Sequence, residues 1–484
     1  MAGRFGEAGV FFSTTDELVG KLVAEGERQA RENVKNFAGR RVLIEGGGYH
    51  KVWLETQPMG GAMYGKRDLE VAYENQKIFM DHQREDGRLP GSVALLDGRL
   101  VPQFDKFQGF CFPQEALDVY YLIGRDREFL EQLYEVLLHF DAYLWKKRDT
   151  DGDGCLESFC RFDTGEDDAR RYGDAPNAWE EEDPPTGREV VPMASMDFMS
   201  FSYTSRETLS QIAALLGRGE EAKEQKKRAR EVKEKMRSYL WDEKRGAFFD
   251  RDHNHNLLPT LTHNNLRVMY WHACGKEEAD RFVTEHLLNP EEFWTKMPLP
   301  CVAVNDPLFV NTTYNSWSGQ SQALTYQRAI RALENYGYTW LIPLLGDRLF
   351  HAIGPSCRFV QQYDPFSMSP SLYGVDGDQK AYGPAILSVL EYVSRMYGVH
   401  LCREEIYWGT CCLRGEDGVY EQSFPGATYR LELFGKKAAG FIDGKEVFQT
   451  GRNLRLVTDL AGRILRQEDL SRRLELCPKD LYDS

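Results

Sequence analysis

Residues 149–176, DTDGDGCLESFCRFDTGEDDARRYGDAP, place nine carboxylates in 28 positions, interrupted by Gly152, Gly154, Gly165 and Gly173. A solvated acidic loop would need nothing more. This stretch also carries Phe159, Phe162 and Tyr172, with Arg170 and Arg171 beside the acids. A carboxyl enclosed by aromatic rings loses hydration and keeps its proton, whereas one beside a guanidinium releases it. Such a loop can tune one acid against another, as proton-transfer chemistry requires.

Two further constellations bear on metals. Asp149, Asp151, Asp153 and Gly154 look like the start of a calcium loop, in which alternate carboxylates converge on one ion. The twelfth position, where such a loop needs Glu, holds Cys160, leaving Glu157 as the nearest additional acid. His253, His255 and His263 are close in sequence but lack the spacing of a closed zinc site, and DRDHNHN reads as a polar turn. His263 precedes a helix and is a candidate to line a pocket. No other metal or organic cofactor is expected.

These loops must be held by a scaffold, and most of residues 15–398 reads as helix. Phe129, Leu130, Leu133, Val136, Leu137, Phe140 and Leu144 fall on one helical face. Ala229, Val232, Met236 and Leu240 repeat the pattern, as do Ile386, Val389, Leu390, Val393 and Tyr397. Further helices are expected to begin near Thr15, Arg67, Pro113, Thr204, Glu277, Gln320 and Trp340. Residues 147–196 and 290–318 are long, aromatic-rich connections without helical periodicity, where function concentrates. After about His400 the period changes to alternation: Tyr429, Leu431 and Leu433, then Phe441, then Leu454, Leu456 and Leu460. Asp443-Gly444 marks a hairpin turn. The expected division is a helical body over residues 1–399 and a small β-rich domain over 400–484.

The chain has 484 residues, enough for a large core, with 42% hydrophobic and 28% charged residues. Its net charge of −15 argues against nucleic acid and against an anionic membrane surface as partners. The start lacks a basic segment followed by an apolar run, and no run of apolar residues is long enough to span a bilayer. With ten cysteines in no metal-binding spacing, free thiols in a cytoplasmic location are the simplest expectation.

TGEDDARRY, Thr164–Tyr172, resembles the SGxDxSxRW motif of the (α/α)6-barrel glycosidases: trehalases, family 63 glucosidases and mannosylglycerate hydrolases. Asp167 matches the Asp that is the general acid of inverting hydrolysis in those families, with Gly165 and Arg171 in register. Other segments follow in the same order. SMDFMSFSY, with Asp197, is similar to VDLNA. YLWDEKRGAFFDRD, with Trp241, Gly246 and Asp250, resembles W-(x)-G-x-Y-x-D. Asp306, Pro307, Trp317 and Gly319 match DDP-F…YWRGPxW, FVQQYDPFSMSPS resembles ExYDPxTGxP, and Tyr382-Gly383 follows. Trp53 and Glu55 sit where these families have WDS, an aromatic-plus-acid substrate contact. The resemblance covers roughly residues 40–398. It implies an (α/α)6 barrel (toroid), mainly α, with a small C-terminal β-domain. It further implies a glycoside hydrolase acting on an α-glucoside-like or other small glycosidic substrate. Asp167 and Glu55 would be catalytic; Trp53, Arg171, Trp317, Gln361, Tyr363 and Asp306 would bind sugar. Trp179 and Trp294 are further loop aromatics suited to stack on a carbohydrate.

Two departures stand out. The family's general base is the Glu two residues before the Tyr of YDP, and that position is Gln361, which accepts no proton at neutral pH. Ser318 and Gln322 replace a sugar-binding arginine and a second tryptophan. Inverting hydrolysis needs an acid for the leaving oxygen and a base for water on the opposite face. Another carboxylate could serve as base: Glu55 first, then Glu166, Asp168 and Asp364. Phosphate could attack directly, as in a glycoside phosphorylase, or the chain could be a sugar-binding pseudoenzyme. A sugar epimerase on the same fold would need paired histidines, and the ordered carboxylate motif argues against it.

Overall fold

The computed structural model describes residues 4–354, 356–371 and 381–474. A succession of helices begins at Glu17–Glu32 and runs to Gly383–Met396. The outward-facing helices follow the periodicity. Helix Arg127–Lys147 is capped by Asp126, whose carboxylate accepts from the Phe129 amide at 3.1 Å, and it buries all seven residues of the expected stripe. Asp16 and Asp68 cap helices Glu17–Glu32 and Leu69–Met80 in the same way.

A second set alternates with these along the chain: Gln57–Tyr64, Pro113–Leu122, Met196–Leu215, Asn264–Tyr270, Ala323–Asn335 and Gly383–Met396. Each touches the next, and Gly383–Met396 returns to touch Gln57–Tyr64, so the set closes on itself. Helices in this position have little polar face, which explains where the periodicity misleads. The helix expected near Thr204 begins at Met196, capped by Ser195, and Ser200, Ser202, Thr204 and Ser205 are buried along it. Gln57–Tyr64 gives no amphipathic signal because nearly every residue in it is buried.

The C-terminal strands form two antiparallel sheets, joined where Trp408 packs edge-on to Phe448 at 5.1 Å. One contains Val399–Cys402, Glu405–Gly409, Leu454–Asp459 and Ile464–Asp469; the other contains Gly418–Phe424, Ala427–Phe434, Lys437–Ile442 and Lys445–Gly451. Asp443 and Gly444 take φ of 50° and 76° between the paired residues Ile442 and Lys445, the turn that two left-handed residues make. Tyr429, Leu431, Leu433, Leu454 and Leu456 face inward, but Leu460 is exposed, at the turn beyond its strand.

The division at residue 399 needs correction at the N-terminus. Strand Gly9–Thr14 pairs antiparallel with Gly418–Phe424, so the start of the chain is an edge of the C-terminal sheet. The first strand of the other sheet also begins at Val399, inside the expected helical body. No described helix is long and apolar enough to cross a membrane, and the nine described cysteines are free; Cys477 lies outside the described residues.

Candidate active site

The N-terminal ends of the closed helical set converge on one cleft. Glu55 and Thr56 precede Gln57–Tyr64, Asp197 sits in the first turn of Met196–Leu215, and His263, Gln322 and Tyr382 cap three of the others. Partial positive charge at helix N-termini favours carboxylates there.

The acid loop is held from behind by ion pairs. The Arg171 guanidinium bonds Glu166, Asp250 and Asp197, all buried. Glu166 also meets His263 Nε2 at 3.2 Å and Arg267 at 3.6 Å. These cations outweigh burial and hold the Glu166 carboxyl well below the usual range. In front of this network the Trp317 amide donates to the Asp167 carbonyl at 2.9 Å. Ser318, buried where the related families carry arginine, accepts from the Arg170 amide at 2.8 Å and donates to the Asp168 carbonyl at 3.0 Å.

Asp167 differs from its neighbours, because its hydrogen-bonding partner is an amide. Asn315 Nδ2 donates to Asp167 Oδ2 at 2.6 Å; Gln361 Nε2 donates to Asn315 Oδ1 at 2.9 Å; Tyr49 donates to Gln361 Oε1 at 2.9 Å. Asn315 Nδ2 also reaches the Tyr49 hydroxyl at 3.2 Å, which closes the circuit. Burial pushes the Asp167 carboxyl up to about 6, offset in part by Asn315 and Lys106.

Glu55 is buried beside this group. Its Oε1 accepts from Arg328 at 3.2 Å and lies 3.9 Å from Arg267. Burial raises its carboxyl to about 7 against the pull of both arginines. The acid loop passes so close that a Cβ on Gly165 would fall 2.3 Å from Glu55 Oε2, so glycine is required there. A third buried carboxyl, Glu45, accepts from the Tyr382 hydroxyl at 3.1 Å. Burial, then the charges of Glu55 and Asp167, push it well above its usual range.

Glu45 and Tyr49 were not found from the sequence. The available signal was Gly46-Gly47-Gly48, with φ of 77°, 60° and 90°, a turn that returns the chain so that Tyr49 enters the cleft. Gly46 and Tyr49 bond each other's backbones at 3.0 and 3.1 Å. Asn315 was missed because an Asn inside NTTYNSW has no spacing to mark it.

Trp53 is half-buried between Tyr49 and the ammonium groups of Lys51 and Lys106, 5.0 and 5.9 Å from its ring. Trp317 is buried against His263 and Arg267. The indole N–H groups of both are buried with no hydrogen-bond partner among the described residues, as are Arg267 Nη2 and Arg328 Nη1. Orphaned donors so concentrated fit a polar ligand.

Other expected site residues have structural work instead. Tyr363 is fully buried, its hydroxyl spent on the Val360 amide and Arg358 carbonyl. Asp306 uses its carboxylate on the Leu261 and Leu308 amides. Arg171 is bonded by three carboxylates and so braces the acid loop. Asp364 caps Phe366 and Ser367, and Asp168 projects outward. Trp179 bonds the Asp183 carbonyl, and Trp294 lies against Arg348.

In the expected calcium loop each aspartate turns one carboxylate oxygen to the backbone. Asp149, Asp151 and Asp153 accept from the amides of Gly154, Asp153 and Cys155, and Glu157 accepts from Thr150. The group whose ligand atoms lie within 4.8 Å of one another is Asp151, Asp153 and His255, without Asp149, and an imidazole ill suits a hard oxygen-seeking cation. The three histidines do not converge either: His263 is buried at Glu166, while His255 meets Tyr239 on the surface.

Residues 57–372 match the family model described as the mannosylglycerate hydrolase MGH1-like glycoside hydrolase domain. The fold is similar to that of a GH63 mannosylglycerate hydrolase from Thermus thermophilus solved with glucose (17% identity, TM-score 0.61, 76% of this chain and 99% of that one). It is also similar to neutral trehalase Nth1 from Saccharomyces cerevisiae (14%, 0.54, 74% and 73%) and to an α-L-rhamnosidase from Dictyoglumus thermophilum (12%, 0.58, 90% and 44%). Among curated proteins, an uncharacterized protein of Borreliella burgdorferi is 29% identical over 114 residues; the match spans 24% of each chain.

Proposed function

The chain belongs to the mannosylglycerate hydrolase MGH1-like glycoside hydrolase family and is a glycosidase, and from that premise we propose that it hydrolyses a small α-linked glycoside with inversion, with Asp167 as general acid. The observation that carries this is the isolation of Asp167. Glu166 beside it is ion-paired, but among the described residues the Asp167 carboxylate bonds the Asn315 amide and no cation, and burial holds its proton up to about pH 6. A protonated carboxyl in a cleft can give its proton to the leaving oxygen as the glycosidic bond breaks. Water attacks the opposite face, and Glu55, whose ionised form Arg328 and Arg267 favour, takes the proton released. Since Asp167 stands at about 6 and Glu55 at about 7, bound sugar must raise Asp167 above Glu55. The orphaned N–H groups of Trp53 and Trp317 would bind sugar hydroxyls, with Gln361 and Tyr49 orienting sugar or water. The name of the Thermus enzyme suggests the class: a hexose joined to a small polar aglycone. The closed, alternating helical set supports the (α/α)6-barrel reading of the fold.

A second reading has an observation in its favour. Arg328 Nη1 and Arg267 Nη2 have no hydrogen-bond partner among the described residues, beside a site whose usual base position is an uncharged amide. Phosphate could take the place of water there. Incubation with aryl α-glycosides and small glycosides, followed by NMR of the first anomer formed, separates the readings. Free β-sugar without phosphate supports inverting hydrolysis; sugar 1-phosphate formed only with phosphate supports phosphorolysis. Retained α-configuration would overturn both.

A further inference from the structure

The cleft occupies one end of the closed helical set, and the other end holds a cavity of about 610 Å³. It is lined at or near the C-terminal ends of those helices by Lys66, Leu122, Gln211, Tyr270, Asn335 and Arg395, and the C-terminal sheets cover it with Leu401 and Tyr407. None of Asp167, Glu55, Trp53 or Trp317 lines it. We propose that this cavity is a second ligand site, for a neutral polyhydroxylated molecule such as a monosaccharide or sugar alcohol.

The argument for a ligand starts with two polar atoms. Glu115 is 1% exposed; its Oε1 accepts from Tyr270 and Arg331, but its Oε2 is buried with no partner. Across the cavity His400 Nδ1 is likewise buried and unpartnered, 4.0 Å from Glu391 and beyond hydrogen-bonding distance. An unsatisfied buried polar atom destabilises the fold. Both belong to residues that line the cavity, and a ligand hydroxyl that reached them would supply the missing partner.

The argument for a neutral ligand comes from the cations. Arg331 is paired with Glu115 and Asp118, Arg395 with Glu391 and Glu334, Arg455 with Glu334, and Lys66 with Glu391. The two remaining lining cations are paired as well, Arg403 with Asp118 and Arg466 with Glu405, so every lining cation has a carboxylate partner. The converging helix C-termini add partial negative charge, which disfavours an anion. Burial and the surrounding arginines lower the His400 pKa well below its usual value, so the ring is neutral. Ile330, Leu401 and the Tyr407 ring supply apolar surface for sugar C–H faces. The volume falls within the usual range for small-molecule sites, about 300–1,000 Å³.

The cavity is tied to the cleft by short spans of chain. Arg328 bonds Glu55, and Arg331, one turn along the same helix, bonds Glu115. Arg267 and Tyr270 are related in the same way on helix Asn264–Tyr270.

The test is titration of the full-length protein with D-glucose and with mannitol, followed by ligand-observed NMR and calorimetry. Wild type should show two classes of glucose site. Leu401→Trp, which fills the cavity from the sheet side, should weaken one class by at least about tenfold and leave glycoside turnover within about twofold. Trp53→Ala should remove the other class only. Should Leu401→Trp fail to fold, Glu115→Gln and His400→Phe serve instead, each expected to weaken the same class. A single class lost in Trp53→Ala and unchanged in the cavity variants would overturn the proposal. So would displacement of the cavity class by inorganic phosphate or citrate, since the site would then prefer anions. Loss of hydrolysis in Asp167 variants bears only on the cleft, so the two assignments fail separately.

Discussion

On one side of the cleft the Thr164–Tyr172 loop rests on a buried lattice of full charges: Arg171 and Arg267 against Glu166, Asp197 and Asp250. On the other side the chain is held by amides. Gln322 donates to Gln362 at 3.0 Å, Gln362 to Gln320 at 2.9 Å, Gln320 to Asn311 at 2.8 Å, and Gln361 to Asn315 at 2.9 Å. Buried ion pairs fix geometry strongly and punish the loss of one partner. Amide networks fix geometry without adding charge. The difference gives a reason for Gln361. Glu45 and Glu55 already place two carboxyls near Asp167, and each raises the cost of ionising the others. An amide at position 361 keeps the hydrogen bonds and omits a further negative charge. The acid side therefore sets position, and the amide side sets protonation.

The strongest test of this contrast is Asp167→Asn. It keeps shape but removes the donated proton, and turnover of a glycoside with a poor leaving group should fall about 100- to 10,000-fold. A dinitrophenyl glycoside, whose leaving group needs no proton, should be spared. Equal losses on both substrates would take the acid role away from Asp167.

Glu55→Gln should abolish hydrolysis while sugar still binds, and added azide should restore turnover, since a strong anion needs no deprotonation. No rescue, with binding retained, would move the base elsewhere, and Glu45 is then the nearest buried carboxyl to examine.

The two sides should also differ in what they contribute to stability. Arg171→Gln leaves Asp250 and Asp197 without their shared cation and should cost about 3–5 kcal/mol in denaturant unfolding. Gln362→Leu removes a donor to the Thr312 and Tyr314 carbonyls and the acceptor of the Ser316 amide, at about 1–3 kcal/mol. If the amide variant is the more damaging, the charged lattice is not the frame of the site.

Gln361→Glu reverses the substitution itself. A carboxylate there, linked to Asp167 through Asn315, should make Asp167 harder to ionise and move the alkaline limb of the pH profile upward by about one unit. Combined with Glu55→Gln it should restore part of the hydrolysis if the pocket keeps the geometry of the related glycosidases. An unchanged profile would mean that position 361 no longer faces the reacting atoms.

Much of this was legible in the sequence wherever pattern and environment agree. The outward helices show their stripes, the Asp443-Gly444 hairpin shows its turn, and the ordered motifs lead to Asp167, Glu55, Trp53 and Trp317. The misses have physical causes. Met196–Leu215 was placed too late because a helix buried among helices can carry serine and threonine on faces where periodicity expects leucine. Strand Gly9–Thr14 pairs with residues some 400 positions away in sequence, and no local signal registers that. Arg171, Tyr363 and Asp306 were read as sugar contacts because motif position does not say which way a side chain is spent. Glu45, Tyr49 and Asn315 lie outside any carboxylate spacing, and only the fold brings them to Asp167.

The finest test concerns one hydrogen bond. The Asn315 N–H stabilises the Asp167 carboxylate and so lowers a pKa that burial raises to about 6. Asp167 acts as an acid only while protonated, so activity is lost as pH rises through that value. Asn315→Ala removes the donor, the carboxylate becomes less favourable, and the alkaline limb should move to higher pH. A hydrogen bond of this kind is worth about 1 kcal/mol, so the shift should be below about one unit. Gln362→Leu is the control: it disturbs the neighbouring amide network without touching Asp167, and its limb should stay where it is. If both variants shift the limb equally, the effect is a general loosening of the cleft. If Asn315→Ala alone shifts it upward, the amide side tunes the acid through that single contact. A downward shift would mean that Asn315 favours the protonated carboxyl, and the contrast between the two sides would not hold at the residue where it matters most.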